Sequence, residues 1–266
     1  MSADDAFSAF EQEGWASGRA APYDRGLGHI TGGAIESLLD AARVTAGASV
    51  LDVATGPGYA AAAAVARGAS AVGADLSEEM LAIARSAHPS ITFVTAEAGA
   101  LPFADGTFDA VIANFLMPHV TDLPAVVAEM ARLVRPGGRV ALTTWDPEPP
   151  TFLNALLAAI AATGAVPPPS LPAGPPFFQY AADDEFAALL TGAGLASPEV
   201  STVAFTFSTD AESLWDDLVA GTVRTRAVIE GQPPELRAAI RADYLSRLAA
   251  WGASVPVSVK LGAATR

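Results

Sequence analysis

The sequence predicts an α/β protein whose mostly parallel sheet carries helices on both faces. Three features of the 266-residue chain point there. Short apolar runs of strand length alternate with segments whose apolar residues recur at helical spacing, the order that builds parallel sheets through crossover helices. The first run passes into a helix through a glycine turn, Gly56-Pro57-Gly58. Near the other end, Val255, Val257, Val259 and Leu261 alternate with period two and read as a closing strand. The length suits one α/β core with an added cap.

The elements follow in order. Over 33–44, Ile35, Leu38, Leu39 and Ala42 share one helical face. Residues 49–53 form a short apolar run bounded by Gly47 and the glycine turn, as a buried parallel strand would be. A small-residue helix over 59–67 stops at Gly68, and 69–74 is the second strand. Ser77 is placed as an N-cap, with Glu78 and Glu79 in the first turn where the helix dipole favours them. Strands follow at 91–94 and 108–113. Asp122 caps a helix through Val126, Val127, Met130 and Leu133, which Arg135-Pro-Gly-Gly138 ends before a fifth strand at 140–144. The texture then changes. An apolar helix near 151–163 leads into the proline-rich loop VPPPSLPAGPP. A helix at 183–191 precedes a strand marked by Val203, Phe205 and Phe207, and two helices, near 211–220 and 234–250, come before the closing strand.

Composition narrows the function. The chain has no cysteine, which excludes disulfides and thiolate metal sites. Its three histidines are scattered, so no metal is expected. A formal net charge of −14 repels phosphate backbones and anionic bilayers, so neither nucleic acid nor membrane is an expected partner. The start, MSADDAFSAFEQEG, is acidic and lacks a signal-peptide pattern. The longest apolar stretch, 153–166, is broken by Asn154, Thr163 and Gly164 and is too short to span a bilayer. A cytoplasmic protein is expected, monomeric or homodimeric.

The glycine turn carries the chemistry. Gly56-x-Gly58-x-x-Ala61 brings backbone close to a ligand at a helix N-terminus, and Asp75 ends the second strand where an acid would take ribose hydroxyls. On this pattern alone, NAD and S-adenosylmethionine are both open. Asp52, just before the turn, crowds a pyrophosphate but suits a cofactor bearing an ammonium and a sulfonium.

Four segments then stand in order: VLDVATGPG, AVGADLSEEML, AEAGALPF with DGTFDAVIAN, and RLVRPGGRV. Together they resemble the class I S-adenosylmethionine-dependent methyltransferases, especially the group of ubiquinone- and menaquinone-biosynthesis and related small-molecule enzymes. The resemblance is strong over about residues 30–146. It implies a Rossmann-like seven-stranded sheet with a final antiparallel strand. The domain plan is then an N-terminal helical flap (1–32), a cofactor-binding core (33–146), a proline-rich lid insertion (147–180) and the rest of the sheet with inserted cap helices (181–266), in one domain.

The resemblance also implies roles. Gly56 and Gly58 pass under the methionine and ribose, Asp75 takes the ribose hydroxyls with Leu76 beside it, Glu97 and Ala98 read the adenine edge, and Asn114 faces the methionine end. Tyr23, Asp52 and Ala54 complete the expected cofactor set, with Ala54 standing where the family's motif has its first glycine. His119, past the fourth strand, is the candidate general base. His29, Trp145, Phe178, Tyr180 and Arg224 are the candidate substrate contacts. The expected reaction is methyl transfer to an oxygen, nitrogen or carbon nucleophile of a small apolar or aromatic molecule, leaving S-adenosylhomocysteine. Two alternatives are a non-methylating protein on the same fold, either a cyclase or a cofactor-binding subunit, and an NAD-dependent oxidoreductase.

Overall fold

The computed structural model describes residues 3–266, and the first two residues of the expected flap lie outside it. In chain order the elements are α1 (Ala3–Trp15), α2 (Ala20–Arg25), α3 (Leu27–Gly32), α4 (Ile35–Ala41), β1 (Ser49–Val53), α5 (Tyr59–Ala66), β2 (Ser70–Asp75) and α6 (Glu78–Ala87). They continue with β3 (Thr92–Thr95), β4 (Phe108–Ala113), a 3-10 turn (Met117–His119), α7 (Leu123–Leu133), β5 (Val134–Trp145) and α8 (Phe152–Ala162). The last are α9 (Asp183–Gly192), β6 (Ala196–Ser208), α10 (Ala211–Gly221), α11 (Arg224–Glu230), α12 (Pro234–Leu248) and β7 (Ser254–Thr265). Two compact units emerge. The sheet unit holds 31–146, 175–203 and 259–266; the helical unit holds the residues up to Ile30 with 147–174 and 204–258.

The sheet runs β3-β2-β1-β4-β5-β7-β6. The pairs β1–β2, β1–β4, β2–β3 and β4–β5 are parallel, and β7 is antiparallel to β5. This is the seven-stranded, Rossmann-like arrangement that the sequence leads one to expect. Strand alternation sorts the core into two layers. Leu51, Val53, Val111, Ala113, Val140 and Leu142 face α7 and α9, burying Val127, Met130, Phe186 and Leu190. Val50, Ala110, Ile112 and Ala141 face α4 and α5, burying Leu38, Leu39, Ala60 and Ala64. Fully burying one of the leucines or Ile112 is worth about 1.5–3 kcal/mol.

The caps are where the residue types place them. Ser77 Oγ accepts from Met80 N at 3.3 Å, and Asp122 Oδ1 accepts from Ala125 N at 3.0 Å. The RPGG segment differs from expectation. It does not merely stop α7; the strand already begins at Val134 and slips register against β4 between Phe108 and Ala110. Gly137 sits at φ 81, and a Cβ on Gly138 would meet Asp109 O at 2.5 Å, so both glycines are needed for the slip.

In the helical unit, Tyr244 of α12 and Trp215 of α10 are buried with ring centroids 5.8 Å apart. Gly221 lets the backbone of Tyr23 approach, since a Cβ there would lie 3.0 Å from Tyr23 Cα. Three helices, not two, lie between β6 and β7. The additional one, α11, is seven residues long and has no side-chain N-cap.

Candidate functional site

The chain leaves β1 through a turn with unusual backbone. Ala54, Gly56 and Gly58 all lie in the left-handed region, at φ 55, 54 and 86. Glycine takes that conformation freely; alanine pays about 1 kcal/mol for it. The turn is pinned on each side. Thr55 N donates to Ala74 O at 3.0 Å, tying it to β2, and Gly58 N donates to Thr55 O at 2.9 Å.

Asp52 is the internal brace of this turn. It is 1% exposed, and its Oδ2 accepts from Thr55 Oγ1 at 2.6 Å and from Ala61 N at 3.0 Å. Its Oδ1 is buried without a hydrogen-bond partner. Burial pushes the carboxyl up to about 7, against the two hydrogen bonds, with a further push from the charge of Asp75. Asp52 therefore holds the turn and the start of α5 rather than presenting a carboxylate to solvent.

The two glycines do different jobs. A Cβ on Gly58 would lie 2.9 Å from Phe93 Cζ and 3.2 Å from Ala84 Cβ, so its bareness lets α5 close on β3 and α6. A Cβ on Gly56 would meet nothing within 4 Å. Gly56 is thus the glycine beside open space, and its N–H donates to Asp75 Oδ2 at 2.8 Å.

Asp75 joins the turn to the end of β2. Its Oδ1 accepts from Ser77 N at 2.8 Å. Burial raises its carboxyl above the ordinary value, while the amides of Ser77, Gly56 and Leu76 and the charge of His119 pull it down. A carboxylate offers about four acceptor sites, more than these amides use, so capacity remains for a ligand hydroxyl. Leu76 is 42% exposed, an apolar surface next to those oxygens. The segment after β3 is drawn alongside, with Ala96 N donating to Asp75 O at 3.0 Å; Glu97 is exposed and Ala98 half-buried.

Across the β1–β4 junction, where strand order reverses, Asn114 directly follows β4. Its Nδ2 donates to Thr31 O at 3.1 Å, and its Oδ1 accepts from Thr143 Oγ1 at 2.7 Å. The same hydroxyl accepts from Phe115 N at 2.9 Å and holds Phe115 at φ 60. Phe115 packs on Trp145 with centroids 4.1 Å apart, and Trp145 is buried. His119 closes the 3-10 turn, half-buried and within the field of Asp75.

The sheet unit thus gathers Asp52, Ala54, Gly56, Gly58, Asp75, Leu76, Glu97, Ala98, Asn114, His119 and Trp145 at the carboxyl ends of β1 to β5. Phe178 stacks edge-on against Phe177 at 5.2 Å, and Tyr180, at φ 62, packs against the α7–α9 core layer. Tyr23, His29 and Arg224 belong to the helical unit. There Tyr23 meets Trp15 edge-on at 5.6 Å, His29 is exposed, and the Arg224 guanidinium lies 5.8 Å from the Phe7 ring centre. Thr55, Ser77 N and Thr143 take part without having been singled out. For Thr143, a buried hydroxyl inside the apolar run ALTTW was the available signal.

The residues present fit a nucleoside cofactor. A bare position beside open space, a carboxylate with unused acceptor capacity and an exposed leucine meet at one sheet edge. Among the described residues, no group of three or more His, Cys, Asp or Glu is placed to hold a metal ion. Nor is any helix among them long and apolar enough to cross a membrane.

Residues 51–142 match the family model described as "Methyltransferase domain". The demethylmenaquinone methyltransferase of Beutenbergia cavernae is 38% identical over 113 residues, 42% of this chain and 47% of that protein. The chain spans about half the length of the curated relatives it matches. Among solved structures, the YcgJ protein of Bacillus subtilis shares the fold with TM-score 0.56 at 19% identity, over 90% of this chain and 99% of that one. So does a Haemonchus contortus phosphoethanolamine N-methyltransferase, solved with phosphomonomethylethanolamine and S-adenosylhomocysteine, with TM-score 0.53 at 18% identity, over 87% of this chain and 52% of that one. The turn and the acid ending β2 fall within the matched segment, and residues 51–142 of the sheet unit are similar to that methyltransferase domain.

Proposed function

We propose that the chain is an S-adenosylmethionine-dependent methyltransferase acting on an oxygen, nitrogen or carbon nucleophile of a small apolar or aromatic molecule. The observation that carries this is the link from Gly56 N to Asp75 Oδ2 at the ends of β1 and β2, with exposed Leu76 beside it. When bound, the cofactor supplies a methyl group already activated by its sulfonium. What remains for the protein is positioning and exclusion of water.

Asp75 accepts from the ribose hydroxyls with its remaining acceptor capacity. Leu76 packs under the sugar and base, and Glu97 with the backbone at Ala98 accepts from the adenine amino group. Asp52 is a positioning residue: it fixes the turn through Thr55 and Ala61. Asn114, held by Thr31 and Thr143, orients the methionine end. His119 takes the acceptor's proton where the nucleophile is a hydroxyl. Two of the curated relatives are named for demethylmenaquinone, so that quinone is the first acceptor to try.

Titration calorimetry with S-adenosylmethionine, S-adenosylhomocysteine and NAD tests the reading. Micromolar binding of the first two is expected. It should be lost in Asp75→Ala and in Gly56→Ala, whose added Cβ enters space that no protein atom fills. Binding of NAD alone would replace methyl transfer with hydride transfer as the function.

A further inference from the structure

The loop from β3 to β4, residues 96–107, has no helix or strand of its own. It nonetheless carries Glu97 and Ala98, the residues assigned to the adenine edge. Its backbone polar groups need partners from elsewhere. An ion pair near the end of α7, Glu129 with Arg132, supplies several of them.

The pair is two-pronged. Arg132 Nε donates to Glu129 Oε2 at 2.7 Å, and Nη2 donates to Oε1 at 2.8 Å. The rest of the guanidinium reaches into the loop. Nη2 donates to Leu101 O at 3.3 Å, and Nη1 donates to Phe103 O at 2.9 Å and to Asp105 Oδ1 at 2.6 Å. Every N–H of the planar fork is thereby engaged. Glu129 Oε1 also accepts from Leu101 N at 2.8 Å, so Leu101 is held by both its N–H and its C=O. The hydrogen bond from Arg132 keeps the Glu129 carboxyl below its ordinary value, although burial opposes it. A lysine has a point charge in place of the fork and could not make this set of bonds.

The grip on Leu101 adjoins the base-reading residues. Ala100 N donates to Glu97 O at 3.0 Å, closing a turn over 97–100 that runs straight into buried Leu101. At the other end, Ala96 N donates to Asp75 O at 3.0 Å. The segment is therefore tied to β2 before Glu97 and to α7 after Ala100. Glu97 itself is exposed. An exposed acceptor on a loose loop would lose affinity to the ordering of that loop on binding, and a loop held beforehand avoids the loss.

We infer that Arg132 is a positioning residue for base recognition: through Leu101 and the 97–100 turn it holds Glu97 and Ala98 where the adenine amino group meets them. The inference rests on the methyl-transfer reading for its ligand and adds the residue that makes the site selective for adenine.

The test is titration calorimetry with S-adenosylhomocysteine and with S-inosylhomocysteine, which has a carbonyl in place of the adenine amino group. The wild type should prefer the first by roughly tenfold, the worth of one hydrogen bond to a charged acceptor. Arg132→Lys keeps the charge and loses the fork. It should weaken S-adenosylhomocysteine by roughly tenfold and the inosine analogue far less, so that the preference disappears. Should that variant not fold, Glu129→Gln keeps an acceptor for Leu101 N, gives up the ion pair and should lower the preference in the same direction. A variant that binds both ligands more weakly with the wild-type preference intact would overturn the inference, since Arg132 would then only stabilise the loop. Unchanged affinities in the variant would overturn it too. So would a wild type that binds the two ligands equally, and that result would leave methyl transfer standing. A wild type that binds neither would overturn the methyl-transfer reading and this inference together.

Discussion

Asp52 should make the protein less stable as pH rises through neutrality. Its carboxyl is buried, with one oxygen unpartnered, and sits at about 7 instead of 3.8. The native state therefore keeps this proton over a range where the unfolded chain has lost it. Stability from this group is full below pH 3.8 and is lost as pH rises to about 7. The whole span corresponds to about 4 kcal/mol, of which roughly 2–3 kcal/mol falls between about pH 5 and 8. For a chain of this size that is a Tm decrease of about 5–10 °C. The perturbation is Asp52→Asn, which keeps the shape and one acceptor for Thr55 and Ala61 but carries no charge. Its amide leaves a buried donor in place of the unpartnered oxygen, costing about 1–3 kcal/mol at every pH. The variant is thus shifted as a whole, and its slope is what matters. Urea unfolding at half-unit steps from pH 5 to 8 reads both curves. The wild-type curve should fall relative to the variant by roughly 2–3 kcal/mol across that range. Parallel curves would refute the reasoning, because the native carboxyl would then titrate where the unfolded one does.

Three further outcomes are expected. Ala54→Gly should raise stability by about 1 kcal/mol, seen as a higher urea midpoint, because the left-handed φ of 55 suits glycine. Gly58→Ala should lower stability by more than about 2 kcal/mol, through its φ of 86 and the 2.9 Å approach to Phe93, whereas Gly56→Ala should cost only about 1 kcal/mol. The two chemical-denaturation curves settle that order. Thr143→Val strips the buried hydroxyl from Phe115 N and Asn114 Oδ1 and should cost about 1–3 kcal/mol; hydrogen exchange at the Phe115 amide should speed up in parallel.

Much of the sheet was legible because its signals are local. β4 lies at 108–113 as read, since a run of apolar residues there is closed by Gly106 and Asn114. Ser77 and Asp122 announced α6 and α7 by hydroxyl and carboxylate caps. α11 was missed for the converse reason: it has no capping side chain and carries Thr, Val and Ile, which weaken a helical signal. The first half of β6 was missed because its exposed residues, ASPEVST, have the polarity of a loop. At the site, the glycines and Asp75 could be read from composition and spacing. The left-handed backbone at Ala54 could not, because alanine argues against it. Nor could the link from Asn114 to Thr143, which joins two strands and exists only once they pair. Strand order came with the family resemblance, since alternation alone fixes no order.

The last strand in the chain is not the last in the sheet. β7 pairs with β5 from Val259↔Trp145 to Thr265↔Arg139, and β6 lies on its far side. A ribosome making this chain finishes β5 long before it makes β7. At about 5–20 residues per second the wait is on the order of 10 s. Throughout that interval the nascent sheet ends on β5, whose Val140, Ala141 and Leu142 present an apolar, unpaired edge able to recruit any other strand in reach. The nascent protein is therefore exposed to misassembly until β7 is made, and a chaperone or slow dilution during refolding should raise its yield by shielding that one edge until residues 259–265 arrive.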